Sequence, residues 1–199
     1  MNIVKYEGMK KLIISDFFGV VGDEDSSVFF GKYRPELDPQ ELTAKYFHPG
    51  DRGEATFNEI VDNVCEDLHF ERDFALYNFL EVPQPHKEYI DVLKKLKEEG
   101  RKLILLSNAC DFLVPYLIRR YGIEGLFDEL YISYEIGHYK PNEDAFSYVL
   151  EKTGYRAEDS IFIDDNQKNV DVASSLGIRG VLYKNDKETL EEIINAAKD

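Results

Sequence analysis

The chain has 199 residues, 43% of them hydrophobic, enough to bury a core without disulfides or a structural metal. Its 24 Lys and Arg against 39 Asp and Glu leave a net charge of −15, which repels nucleic acid and anionic membrane surfaces and leaves no basic stripe for counterion release. Cys65 and Cys110 stand outside any C-x-x-C or metal-binding spacing, no run approaches the about 18 apolar residues of a membrane span, and MNIVKYEGMKK lacks a leader-like apolar stretch. These features lead us to expect a reduced, cytoplasmic protein with no nucleic-acid or membrane partner, as a monomer or homodimer.

In chain order, an apolar strand, Lys11–Ser15, runs into Asp16 and the segment FFGVVGDEDSS. From about Val20 to His86 strand-like runs vanish and helical patterns follow one another, roughly at Pro39–Phe47, Ala55–Leu68 and Arg72–Phe79. Phe57, Ile60, Val61, Val64 and Leu68 keep the i, i+3, i+4 spacing of one buried helical face. Turn-rich GDEDSS opens this block and the two prolines of VPQPH close it.

Thereafter short β-branched runs alternate with amphipathic helices. Helix Glu88–Glu99 stops at Gly100 and is followed by strand LILL (103–106), a helix with Pro115 in its first turn and strand LYIS (130–133). Helix Asn142–Lys152, strand IFI (161–163), helix Gln167–Leu176, strand GVLY (180–183) and a last helix from Lys187 complete the chain. That alternation predicts an α/β fold of right-handed βαβ units: a Rossmann-like parallel sheet flanked by helices, interrupted after its first strand by a helical insert.

In such a sheet ligands bind beyond the carboxyl ends of the strands. Asp16 follows LIIS, Ser107-Asn108 follow LILL, Asp164-Asp165 follow IFI, and Lys140 lies in the loop beyond LYIS. Singly, each reads as a helix cap, a turn residue or a solvated lysine. Together they bring three carboxylates to one edge, and adjacent carboxylates repel unless something positive lies between them. A divalent cation with oxygen ligands, Mg²⁺, meets that need, held by Asp16, one acid of the Asp164-Asp165 pair and a backbone carbonyl near Asp16.

The segments SDFFGVV (15–21), LLSNA (105–109), HYKPNEDAF (138–146) and IFIDDNQKN (161–169) resemble, in this order, the four motifs of the haloacid dehalogenase superfamily. The helical insert resembles its C1-type cap, which implies a core of residues 1–19 and 87–199 and a cap of 20–86. Residues SNA, YKP and DDNQKN are most similar to the bacterial branch holding glucose-1-phosphate phosphatase-like proteins. The resemblance implies a phosphatase in which Asp16 attacks phosphorus to give an aspartyl-phosphate. Ser107 would bind the phosphoryl oxygens with Asn108 beside it, and Lys140 would bridge the phosphate and Asp16. Metal ligands would be Asp16, the Phe18 carbonyl and Asp165, with Asp164 acting through water and Asn169 in support.

Phosphatases of this superfamily usually carry a second acid two places after the nucleophile, where this chain has Phe18. General acid–base help is worth about 10² to 10⁴ in rate, so its absence there points to a good leaving group such as an anomeric sugar phosphate, or to a donor from the cap or solvent. A 2-haloacid dehalogenase also lacks that acid but needs no metal, and the retained Asp164-Asp165 pair argues against it. A non-catalytic relative that binds a phosphorylated ligand is the remaining alternative. For contacts to the leaving group of a small phosphorylated metabolite, Arg52 in HPGDRGEATF is the first choice among Lys32, Tyr33, Arg34, His48, Arg52 and His86, while Glu135 and His138, just upstream of Lys140, read first as solvated loop residues and second as groups that orient that lysine.

Overall fold

The computed structural model of the chain describes residues 11–24 and 26–198. The first ten residues, which hold most of the segment MNIVKYEGMKK and the start of the expected core, lie outside the described residues, as do Asp25 of the GDEDSS turn and Asp199.

Among the described residues five strands form one parallel sheet: β1 (Leu12–Ser15), β2 (Lys102–Ser107), β3 (Glu129–Ile132), β4 (Ser160–Asp164) and β5 (Arg179–Leu182), in the order β3-β2-β1-β4-β5. The helices are α1 (Ser26–Tyr33), α2 (Pro39–Tyr46), α3 (His48–Asp51), α4 (Phe57–Leu68), α5 (Arg72–Leu80), α6 (Lys87–Glu98), α7 (Leu113–Arg120), α8 (Ser133–Ile136), α9 (Glu143–Thr153), α10 (Gln167–Ser175) and α11 (Lys187–Ala196). β1 is central, with Ile14 opposite Ile104 of β2 and Phe162 of β4. Strand order reverses beside β1, and the crevice opens at the carboxyl ends of β1, β2 and β4.

Both faces of the sheet are covered, so its strands read as near-continuous apolar runs. Ile13, Leu103, Leu105, Ile161 and Ile163 pack under α6, α7 and α11, whose contributions include Tyr89, Leu93, Leu117 and Ile193. Leu12, Ile14, Ile104, Leu106 and Phe162 point the other way, against Phe146 and Val149 of α9 and Ala173 of α10. The two faces alternate residue by residue, as period-2 geometry requires.

Helices α1 to α5 bury a cluster of their own, built on Phe29, Phe30, Phe47, Ile60, Val64 and Phe79 and closed on the sheet side by Cys110 and Leu113. The buried residues of α4 are Phe57, Ile60, Val61 and Val64, the stripe expected from the spacing. It starts at Phe57 rather than Ala55 because Thr56 is its N-cap, forming a capping box with Glu59. The chain leaves and re-enters the sheet layer through one pair of segments: Asp23 N–H donates to the Gln84 carbonyl (3.0 Å) and His86 N–H to that of Val21 (2.9 Å). VPQPH therefore breaks a helix and also clasps the exit segment.

Three short elements depart from the expected pattern. α1 has adjacent buried aromatics, Phe29 and Phe30, and little periodicity; α3 is built on HPGD, which reads as a turn. LYIS ends as a strand at Ile132 because Ser133 opens α8, where its Oγ accepts a hydrogen bond from Ala109 N–H (3.1 Å).

Candidate active site

Asp16 sits one residue beyond β1. Its backbone N–H donates to the Ile163 carbonyl on β4 (2.9 Å), which fixes the chain at the mouth of the crevice. Its Oδ1 accepts from the Phe17 N–H (2.7 Å) and lies 2.7 Å from Lys140 Nζ. The same ammonium lies 2.7 Å from Asp164 Oδ2, so one lysine, 3% exposed, pairs with two carboxylates at the ends of adjacent strands.

Each partner has its own support. Asn108 clamps the Lys140 backbone twice, its Nδ2 donating to the Lys140 carbonyl (2.8 Å) and its Oδ1 accepting from the Lys140 N–H (2.9 Å). Asp164, fully buried, also accepts from Asn169 Nδ2 (3.1 and 3.0 Å) and from the Asn166 N–H (2.8 Å). Asp165 is exposed and stands over Gly19, whose φ is +74°. A Cβ on Gly19 would come 2.1 Å from Asp165 Oδ2, so that carboxylate occupies the space a side chain would fill.

Oxygens of Asp16, Asp164 and Asp165 all lie within 4.8 Å of one another. Burial drives the Asp16 carboxyl well above its ordinary range, with Lys140 pulling against the rise and Asp164 adding to it. Asp165 is raised as well, first by partial desolvation of its carboxyl over Gly19 although the residue as a whole is exposed, and then by Asp164. Burial also works against the Lys140 ammonium, but Asp16 and Asp164 outweigh it and its pKa is raised. The cluster thus carries more negative charge than Lys140 alone can balance.

Other expected residues fall in two groups. Ser107 Oγ is fully buried with no hydrogen-bond partner among the described residues, a donor in need of an acceptor, although Ser107 is not part of the cavity wall while Asn108 and Ala109 are. Phe18 does line the cavity, and its ring packs against both the sheet core and the helical cluster, meeting Phe17 edge-on at 5.2 Å. An aromatic there joins the two hydrophobic layers, which a carboxylate could not do.

Arg52 is not brought into the cavity: its guanidinium pairs with Glu54 (2.9 and 2.7 Å). Lys32 and Tyr33 line a separate groove, and Arg34 lies over the Phe70 ring (4.0 Å). His86 is held by the Val20 carbonyl (2.9 Å) and Asp23 (3.2 Å), and His138 stands 5.2 Å from the Tyr148 ring. Glu135 and His138 are absent from the cavity wall. Of the insert residues considered, His48 alone lines it.

That cavity, about 180 Å³, lies between the strand ends and the helical insert. Asp16, Asn108, Lys140, Asp165 and Asn169 form its floor, and Glu24, Ser26, Thr43, His48 and Asp51 its opposite wall. Asp51 was not singled out by the sequence, because HPGD reads as a turn. In α3 the backbone of Gly50 closes on Cys110, where a Cβ would come 2.8 Å from the Cys110 Cβ, and the next residue, Asp51, reaches the cavity.

A family model described as haloacid dehalogenase-like hydrolase matches residues 10–177. D-ribitol-5-phosphate phosphatase of Bacteroides thetaiotaomicron is 26% identical over 204 residues, covering 93% of this chain and 97% of the relative. GMP/IMP nucleotidase of Escherichia coli is 32% identical over 93 residues, 47% of this chain. The chain spans less than half the length of several curated relatives it matches, 42% in the case of that nucleotidase. Among solved structures, a wild-type HAD family enzyme from Bacteroides thetaiotaomicron, in complex with magnesium and inorganic phosphate, superposes with a TM-score of 0.74 at 23% identity, covering 90% of this chain and 96% of that one.

Proposed function

The chain belongs to the haloacid dehalogenase-like hydrolases, and from that premise we propose that it is a Mg²⁺-dependent phosphatase of small phosphomonoesters, working through an aspartyl-phosphate on Asp16. The observation that carries this is the buried Asp16–Lys140–Asp164 chain with Asp165 beside it, three carboxylates within 4.8 Å facing a single ammonium. Three carboxylates beside one ammonium leave the site short of positive charge, and the donors are all oxygens, as Mg²⁺ prefers. Asp16, Asp165 and the Phe18 carbonyl would hold the ion, with Asp164 acting through water. When bound, Mg²⁺ supplies charge neutralisation for the phosphoryl oxygens and the attacking carboxylate. Two relatives named as phosphatase and nucleotidase, and the magnesium and phosphate complex of a structural neighbour, support the same assignment.

The chain's own residues account for the rest. Oδ1 of Asp16 is taken by Phe17 N–H and Lys140, which orients the carboxylate and leaves Oδ2 to attack phosphorus. Lys140 stabilises charge on the transferring group, and Ser107 Oγ supplies a hydrogen bond that no described residue accepts. Residues 20–86 act as a cap that excludes water over the cavity. Opposite the floor, Glu24, Ser26, Thr43, His48 and Asp51 offer hydroxyls and acids but no Lys or Arg. Such a wall suits an uncharged, hydroxylated leaving group and disfavours a second phosphate or carboxylate, so a sugar or polyol phosphate is the substrate class.

Phosphate release from p-nitrophenyl phosphate, α-glucose 1-phosphate, glucose 6-phosphate and a pentitol phosphate should require Mg²⁺ and stop with EDTA. Metal-independent chloride release from L-2-chloropropionate would overturn the assignment. A second expectation concerns Gly19: with φ at +74° and Asp165 Oδ2 where its Cβ would go, Gly19→Ala must displace that carboxylate. Mg²⁺ affinity by calorimetry should drop about 10- to 100-fold; an unchanged affinity would remove Asp165 from the ligand set.

A further inference from the structure

The active site described above has a nucleophile, a charge clamp and a metal-binding edge, but Phe18 cannot protonate a departing alkoxide. We propose that the Asp51 carboxyl, carried into the cavity by α3, is the general acid and base that the segment after Asp16 lacks, a role that rests on the phosphatase reading. Asp51 lines the same cavity as Asp16 and Lys140 and is half-buried there. None of the described residues donates a hydrogen bond to its side chain, so the proton or lone pair is available to a ligand. Its placement is built: Gly50 lets α3 rest on the loop after β2, with a Cβ there only 2.6 Å from Ile60 Cδ1 and 2.8 Å from the Cys110 Cβ. A larger residue at position 50 would push Asp51 away from Asn108 and the strand ends.

The charged and titratable groups around it favour this choice. Burial raises the Asp51 carboxyl to about 7, with Lys140 and Arg52 opposing and Glu24 adding to the rise. A group poised there holds a proton on about half the molecules near neutrality, the condition for acid–base work in both directions. His48 on the same wall is shifted the other way, by burial and by Arg52, which disfavours the imidazolium that would have to donate. Glu24 borders two further surface grooves as well as the cavity, and Asp51 lines neither of those grooves.

In the first step the Asp16 Oδ–P bond forms as the P–O bond to the alcohol breaks, and the alcohol oxygen takes the Asp51 proton. In the second, the Asp51 carboxylate takes a proton from water as the water oxygen bonds to phosphorus. The Asp16 Oδ–P bond then breaks, freeing phosphate and returning both carboxyl groups to their starting state.

A leaving-group comparison tests this on the full-length, Mg²⁺-loaded protein. In Asp51→Asn, kcat/KM for an alkyl phosphate such as a pentitol phosphate should fall about 10²- to 10⁴-fold. For p-nitrophenyl phosphate, whose phenolate leaves without a proton, the fall should be far smaller. The alkyl ester's kcat/KM should decline above about pH 7 in the wild type as Asp51 loses its proton, a limb missing from Asp51→Asn. Asp51→Glu should recover part of the alkyl rate. In metal-free protein, a ¹³C carboxyl titration with its midpoint near 7 should vanish in Asp51→Asn. Equal losses on both esters, or none on the alkyl ester, would overturn the role of Asp51 while an active wild type left the phosphatase reading standing; a wild type inert on both esters would overturn the two together.

Discussion

Asp16→Asn should abolish phosphate release, lowering kcat by about 10⁵-fold or more, the scale on which removing a covalent nucleophile acts. Asn retains the shape and an acceptor for the Phe17 N–H at 2.7 Å but cannot form the phosphoenzyme. The same substitution should leave metal-free protein at least as heat-stable as the wild type. Burial and Asp164 outweigh Lys140 at Asp16, so its folded-state pKa is raised. A carboxyl raised in the folded state favours folding while protonated, and that stability is lost as pH rises through the folded pKa. Above that folded-state pKa an ionised Asp16 therefore costs stability that Asn does not. Phosphate release and thermal melts with EDTA check the two halves; appreciable turnover in the variant would remove Asp16 as nucleophile, and a large fall in melting temperature would show the charge balance to be misjudged.

The opposition of proposed function and stability at Asp16 is also what makes the clustering of Asp16, Asp164 and Lys140 legible in the sequence. A buried strand that ends in a carboxylate breaks local consistency, and such breaks mark functional sites. Asp16, Asp164 and Lys140 each stand just past or near an apolar run, and the parallel sheet brings strand ends to one edge whatever the loops do. The opposite wall had no such rule. Arg52 and Asp51 are neighbours in HPGDRGEATF, and the sequence favoured the cation, whereas the fold pairs Arg52 with Glu54 and points Asp51 at the cavity. Consecutive residues of a helix leave it about 100° apart. Which of the two faces inward depends on how α3 lies on Cys110, a tertiary contact between residues 60 positions apart in the chain. α1 was illegible for a related reason: Phe29 and Phe30 are both buried, one against Phe79 and Phe70 and the other against Tyr46 and Phe47, so it has no single apolar stripe. Asn108 lines the cavity next to Ser107 in the chain, and the twofold hold of its amide on the Lys140 backbone is a tertiary contact that the segment LLSNA does not announce.

Lys140 carries the largest expected effect on stability. Lys140→Met keeps most of the side-chain volume but removes the ammonium that lies 2.7 Å from both Asp16 Oδ1 and Asp164 Oδ2, leaving two buried carboxylates facing each other. Breaking a buried ion pair from one side costs about 3–5 kcal/mol, because the remaining charge stays desolvated and unpaired. Its pH dependence follows from the same groups. In the wild type the raised Lys140 pKa keeps the ammonium charged through the neutral range, since stability from a raised lysine is lost only as pH climbs through its folded value. In the variant Asp16 rises further, so protonation relieves the strain: the deficit should be smaller at pH 5 than at pH 8. Urea denaturation in EDTA at both pH values would show it, as a shift in midpoint at unchanged slope. Asp16→Asn introduced into Lys140→Met should recover part of the loss, because only one of the two stranded carboxylates then remains. A Lys140→Met protein as stable as the wild type at pH 8, or one that Asp16→Asn fails to rescue, would mean that charge compensation does not hold this edge of the sheet together. The excess of carboxylate over ammonium would then be no argument for a cation between them.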